Sequence, residues 1–172
     1  NEKLNELIDQ IDQRKGSILI FAKTKIGVDK LVKKLKASSI KASALHGGMR
    51  QNKRSKIMQN FRDERFRILV ATDIASRGLD VPHIEHIINY DMPQAPEDFI
   101  HRIGRTARAG SVGEAVSFLT QKDTRIWRSI ERLLNKEESK RKNGNSKNEI
   151  TPKFKNKKRR RSRAKKKVGG RN

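Results

Sequence analysis

Six consecutive residues, Ser17–Ala22 (SILIFA), carry no charge and, apart from the serine, no polar side chain. A run this short and apolar reads as a strand covered on both faces, because a strand with one wet face would alternate. Such a strand needs helices above and below it, and the flanking sequence offers them. Leu4, Leu7, Ile8 and Ile11 recur at helical spacing, which predicts a helix from about Glu2 to Arg14, ended by Lys15-Gly16. Thr24 is placed as the N-cap of a second helix reaching about Ala37, with Val28, Leu31, Val32 and Leu35 on its buried side.

The alternation continues. Lys41–Leu45 reads as a short strand, His46-Gly47-Gly48 as a turn, and Arg50–Phe61 as a helix with Ile57, Met58 and Phe61 inward. Strands Arg67–Ala71 and His86–Tyr90 each run out into a polar turn, the second leading into a helix from Pro96 to about Thr106. Gly113–Leu119 adds a strand, and Asp123 is placed as the cap of a last helix carrying Ile126, Trp127, Ile130, Leu133 and Leu134. This order predicts an α/β domain with a mainly parallel sheet. In such sheets ligands sit off the carboxyl ends of the strands. Thr24, His46-Gly47, Thr72-Asp73 and Tyr90-Asp91 all fall at strand ends, so the polar groups converge on one edge.

Charge divides the chain in two. From Ser139 to Asn172 there are sixteen Lys/Arg against one acid, Glu149, a net of +15 out of the chain's +23. This low-complexity segment, with Phe154 as its one aromatic residue, is too polar to bury a core. The expected organisation is therefore one domain at residues 1–138, long enough for a single core, and a disordered basic tail at 139–172. The tail suits electrostatic tethering to RNA or ribosomal particles without sequence choice. The absence of cysteine excludes disulfides and thiolate metal sites. No apolar run approaches the ~18 residues of a membrane span, and no signal peptide opens the chain; a soluble cytoplasmic protein fits. The chain starts at Asn1 directly in a helical pattern, as a piece of something larger would.

At roughly 100° per helical residue, His101, Arg105 and Arg108 share an arc of about 60°, with Phe99 and Ile103 facing almost the opposite way. Two guanidiniums and an imidazole on one helix edge call for an anion, phosphate foremost. Asp73, Asp80, Asp91 and Asp98 are alternative partners within the chain. Thr72 is placed to cap a helical turn at Ile74-Ala75-Ser76, whose backbone N–H groups could meet phosphate. Gly78 would let a ligand come close to the backbone, and Asp80 could accept from a ribose hydroxyl. Gln51 and Arg54, three apart on a helix, could reach one phosphate together, although a solvated helix face explains them as well. His46 alone reads as a hydrogen-bonded turn residue.

Taken together, ILIFAKT, ALHGGMRQNKR, ILVATDIASRGLDV and YDMPQAPEDFIHRIGRTARAG resemble motifs IV, IVa, V and VI of the DEAD-box RNA helicases. The resemblance covers about Ser17 to Leu134. It implies a RecA-like three-layer fold and the second, C-terminal RecA-like domain of an ATP-dependent RNA helicase; the motif VI wording and the basic tail resemble the RhlE-type subgroup. By the same resemblance, Arg105 and Arg108 act as arginine fingers on the γ-phosphate of ATP. His101 couples the nucleotide to the RNA side and to the opposite domain, and Asp80 holds the ribose. Thr24, Gly47, Arg54, Thr72 and Gly78 lie along the RNA backbone, and Asp73 helps connect the two sites. One departure is Ala107, where the family usually has Gly. If that position needs positive φ, Ala costs on the order of 1 kcal/mol; at negative φ it is harmless, and harmless is the expectation.

Neither a GxxxxGK[ST] phosphate loop nor a D-E-A-D carboxylate pair occurs in the chain. In the family these belong to the first RecA-like domain, which would precede Asn1 and hold Mg²⁺ and the attacking water. An arginine finger supplies roughly 10³–10⁵ in rate, but only to phosphates that another domain holds. The chain alone is therefore expected neither to hydrolyse ATP nor to unwind RNA. The implied partners are RNA through its phosphates, the N-terminal RecA-like domain, and ribosomal particles or RNA-decay machinery. A catalytically dead RNA-binding module and a DNA-directed helicase of the same superfamily remain open, since phosphate contacts do not read the sugar.

Overall fold

The computed structural model describes residues 2–76, 84–106 and 113–143. Five strands, β1 (Ser17–Phe21), β2 (Ala42–Leu45), β3 (Ile68–Ala71), β4 (Ile84–Asn89) and β5 (Glu114–Ser117), form one sheet in the order β2-β3-β1-β4-β5. Every pairing is parallel. The SILIFA run is thus the central strand. Its alternate residues feed two cores: Ile18 and Ile20 pack with α1 (Glu2–Asp12) and α2 (Lys25–Ala37), while Leu19 and Phe21 pack with Phe61 of α3 (Gln51–Arg62) and Ala75 of α4 (Asp73–Ser76). All four are fully buried, each stabilising the fold by roughly 1.5–3 kcal/mol. The result is a three-layer α/β/α domain. On the second face α5 (Pro96–Ile103) adds Ile103 to the core, and its Phe99 packs with Ile130 of α6 (Thr124–Asn143), edge-on to Trp127.

The expected elements are present with shifted ends. Val28, Leu31, Val32 and Leu35 are the buried residues of α2, and the Thr24 hydroxyl accepts from the Gly27 N–H at 2.9 Å as its N-cap. The first helix stops at Asp12 rather than Arg14, and β4 begins at Ile84, two residues before His86. Two placements need correction. The helix from Pro96 ends at Ile103, not near Thr106, because Gly104 forms its C-cap and turns the chain. Asp123 is not the cap of α6: it closes a capping box with Thr120 around a 3₁₀ turn, Gln121–Asp123, that leads into α6. Helix α6 runs through Asn143 and so crosses the expected boundary at 138; the basic segment from Gly144 onward lies outside the described residues.

The amino-terminal end of the sheet is closed by its own polar groups. Arg67 donates from Nη1 to the carbonyls of Arg14 (2.9 Å) and Gly16 (3.3 Å) and from Nη2 to that of Ile11 (3.1 Å), satisfying the end of α1. Gly16 takes φ +76°, and a Cβ there would run into the Glu85 carboxylate, which accepts from the Ser17 N–H. The left-handed backbone favours glycine, whereas the exposed Glu85 side chain could move aside for a methyl group.

Candidate functional site

The opposite, carboxyl-terminal end is held by one side chain. Pro96 starts α5 at its first turn, and along this helix Phe99, Arg102 and Ile103 recur at i, i+3, i+4, which turns Arg102 inward with the apolar residues. Arg102 is 2% exposed. Its Nε and Nη2 donate to the two carboxylate oxygens of Asp73 at 2.6 and 2.7 Å. Its Nη1 donates to Asn89 Oδ1 at 3.0 Å and to the Asp91 carbonyl at 2.7 Å. Four of the five N–H donors of a guanidinium are thereby used, and its flat face lies 4.7 Å over the Phe21 ring. One residue thus joins α5 to the ends of β1 and β4 and to the turn after β3.

Around this joint the loops that follow β2, β3, β1 and β4 lie side by side in the sheet order. The Thr72 N–H donates to the Leu45 carbonyl, the Ala22 N–H to the Ala71 carbonyl, and the Asp91 N–H to the Phe21 carbonyl. Asp91 also accepts from the Lys23 N–H at 3.0 Å and from Lys3 Nζ at 2.9 Å, with Lys3 resting over the Tyr90 ring. Burial, and then the Asp91 charge, hold the Tyr90 hydroxyl above its ordinary pKa. His101 is exposed, its Nδ1 3.8 Å from Asp98. A narrow crevice of about 10 Å³ is lined by Asp73, Ser76, Asp98, His101, Arg102 and Arg105, room for no more than a water molecule.

Thr24 and Gly47 are exposed at this edge. His46 is the turn residue expected: its Nδ1 accepts from the Gly48 N–H at 3.2 Å, and its Nε2 faces Asp29 Oδ1 at 3.1 Å. Gln51 and Arg54 do meet, Nη1 to Oε1 at 3.3 Å, and Arg54 Nε is buried without a hydrogen-bond partner. Thr72 is 7% exposed, and its carbonyl rather than its side chain receives the Ala75 and Ser76 N–H groups that form α4. Because α5 ends at Ile103, Arg105 stands in the turn that follows it, and the helical arc expected for His101 and Arg105 does not extend to it; the two reach one crevice all the same. Arg108, Gly78, Asp80 and Ala107 lie outside the described residues. Among the described residues no group of three His, Asp or Glu could hold a metal ion, and no helix is long and apolar enough to cross a membrane.

Known proteins place this architecture. The model of the helicase conserved C-terminal domain matches residues 2–110. The chain belongs to that family, in its DEAD-box branch. Among relatives, the ATP-dependent RNA helicase DBP8 of Vanderwaltozyma polyspora is 41% identical over 133 residues, covering 77% of this chain and 31% of that protein. The chain spans about a third of the length of the curated relatives it matches, or less. The DEAD-box protein SrmB of E. coli, solved bound to the regulator of ribonuclease activity A, superposes with a TM-score of 0.74 at 30% identity over 94% of this chain and 91% of that one. S. cerevisiae Dbp5 bound to RNA and ADP BeF3 gives 0.72 at 31% identity, over 88% and 38%. The fold is therefore the RecA-like one the motifs implied.

Within this helicase domain, Arg102 is the functional-edge residue that the sequence pattern does not single out, unlike its neighbours at 101, 105 and 108. The signal was available: three residues after Phe99, it falls about 60° from that buried ring, on the core side of the helix. Asp73, one of the four carboxylates open as a partner for the helix charges, is the one it takes.

Proposed function

We propose that this domain is the C-terminal half of an ATP-dependent RNA helicase that locally unwinds duplexes, supplying arginine fingers to the nucleotide and half of the grip on RNA. One observation carries the reading: His101 and Arg105 share a crevice with the Arg102–Asp73 joint, at the edge where the loops after four strands meet. A guanidinium and an imidazole suit phosphate oxygens, and about 10 Å³ is too little for a nucleotide, as expected of a surface completed by a second domain. Arg105 and Arg108 would face the γ-phosphate, with Asp80 and Gly78 at the ribose side. Thr24, Gly47, Arg54, Thr72 and Gly78 would follow the RNA phosphates. His101 would report between the two.

ATP, with Mg²⁺ held by the N-terminal domain, supplies the anhydride cleavage that resets the cycle. The residues of this chain bind and orient. Closure of the two domains would press the RNA backbone against the loops after β1, β2 and β3, and a strand bent there cannot stay paired. Dbp5, solved with RNA and ADP BeF3, supports a joint nucleotide and RNA site in this fold. The basic segment 139–172 extends the RNA contact electrostatically beyond a domain at 1–138 and suits contact with ribosomal particles or RNA-decay machinery; a cytoplasmic place fits. The RhlE-type reading rests on the wording of Tyr90–Gly110 and on that segment.

The decisive experiment measures RNA-stimulated ATP hydrolysis. The 172-residue chain should show none above background, and in an enzyme that also carries the phosphate-loop domain, Arg105→Ala should lower kcat by about 10³ or more while nucleotide binding changes little. Hydrolysis by the chain alone that Arg105→Ala abolishes, or full activity of the variant enzyme, would overturn the reading.

A further inference from the structure

Outside the carboxyl edge, the positive charge of the folded body is concentrated in one place. Lys23 to Arg65 hold thirteen Lys/Arg against three acids, a net of +10, whereas the rest of residues 1–138 carries −2. This segment builds β2 and the two helices that flank it, α2 and α3. Strand β2 stands at the border of the sheet, pairing among the described residues with β3 alone. Lys30, Lys33, Lys34 and Lys36 on α2, Lys41 before β2, and Lys53 and Lys56 on α3 are all exposed. Two of the three acids are already engaged, Asp29 by His46 and Asp63 by Gln59.

At the amino end of β2 this border opens into a solvent-open cavity of about 430 Å³, lined by Lys36, Ser39, Ile40, Lys41, Ser43 and Phe66. Among the described residues no carboxylate lines it. Phe66 is half-buried, one face supported by Phe61 at 5.5 Å between ring centroids. Two lysines, two serines and a backed aromatic ring around a space of this size are the residue types by which single-stranded nucleic acid is held without sequence choice: cations for phosphate and a ring for the base. Strand β2 connects this cavity to the turn at Gly47 over about 13 Å, four residues at ~3.3 Å each.

We infer that single-stranded RNA leaving the site at Gly47 and Arg54 continues along the β2 border and seats a nucleotide in the Lys36–Lys41–Phe66 cavity. The inference rests on the RNA-binding reading above, and its test separates the two. Binding of the full chain to a 3-nucleotide oligouridine, too short to fill both places, and to a 24-nucleotide one is measured across a salt series. Arg54→Gln should weaken both. The double variant Lys36→Gln/Lys41→Gln should leave the 3-mer unchanged, reduce 24-mer affinity roughly tenfold near 0.1 M salt and lower the salt slope by about 1.4, the value for two single-strand phosphate contacts. Phe66→Leu should weaken the 24-mer several-fold with the slope unchanged, and thermal melting confirms that this variant folds. An unaltered 24-mer in the double variant overturns the track, as does an equal loss for both lengths, which would mark a diffuse field. So does loss of binding to an acidic peptide, poly-glutamate, with RNA binding intact, since the cavity would then serve a protein. A 3-mer affinity unchanged by Arg54→Gln would instead count against the parent reading.

Discussion

The two ends of the central sheet each place an arginine against backbone carbonyls, and the two arginines differ in what they join. At the amino end Arg67 reaches three carbonyls at the close of α1, within a region where Arg14 pairs with Glu114 and the Glu85 carboxylate meets the Ser17 N–H. Most of what is polar there is consumed in closing the fold. At the carboxyl end Arg102 is more deeply buried and ties four segments that are distant in sequence, yet His101, Thr24 and Gly47 beside it remain open to solvent. The lesson is that one buried arginine ties the carboxyl-terminal edge together while its neighbours stay open to solvent. For the phosphate recognition proposed at this edge, donors already held in place would lose little freedom on binding.

The comparison is sharpest if the same substitution is made at both ends. Arg102→Met should cost about 3 kcal/mol of unfolding free energy, because it leaves the wholly buried Asn89 Oδ1 and the Asp73 carboxylate without their donor. Asp73 is about a third exposed, which moderates the loss through solvent. Arg67→Met should cost about 1.5 kcal/mol, since carbonyls at a helix end can turn to water. Urea denaturation of the two variants measures the difference, and equal costs would mean that Arg102 is an ordinary cap.

An effect smaller than that of Arg102→Met tests how closed the amino end is. Gly16→Ala should destabilise by about 2 kcal/mol, from the left-handed backbone and from the displaced Glu85 carboxylate. Adding Glu85→Ala should restore only the share due to contact, leaving roughly 1 kcal/mol for the backbone. Full rescue would show that φ at this position is free to relax.

What was legible in the sequence follows this same division. The strands, α2 with its four buried residues and the α/β order came from apolar periodicity, which local sequence carries. The same alternation placed Thr24, Gly47 and Thr72 after strand ends, where the sheet does put them. What escaped was set by tertiary contact. That Arg102 and not its neighbours would be spent on Asp73 depends on β3 and β4 flanking β1, a pairing order that no local pattern encodes. The end of α5 at Gly104 was missed because apolar spacing ran on past a glycine that stops the helix. The capping box of Thr120 and Asp123 was misread by three residues, since either side chain suits a cap and only the 3₁₀ turn between them decides.

The smallest effect, and the one that separates fold from function at the carboxyl edge, concerns Thr24. Its hydroxyl caps α2, and the same residue is proposed to face an RNA phosphate. Thr24→Ala should lose both, lowering stability by about 1 kcal/mol and weakening RNA binding. Thr24→Asp should divide them. Aspartate caps at least as well as threonine and favours the positive end of the helix, so thermal melting should match the wild type within a degree or two. The new carboxylate would repel a phosphate, so RNA affinity should fall several-fold at low salt and recover toward wild type as salt screens the charge. If Thr24→Asp instead binds RNA as the wild type does, the residue belongs with the closed end of the molecule, a structural cap that happens to lie on the open one.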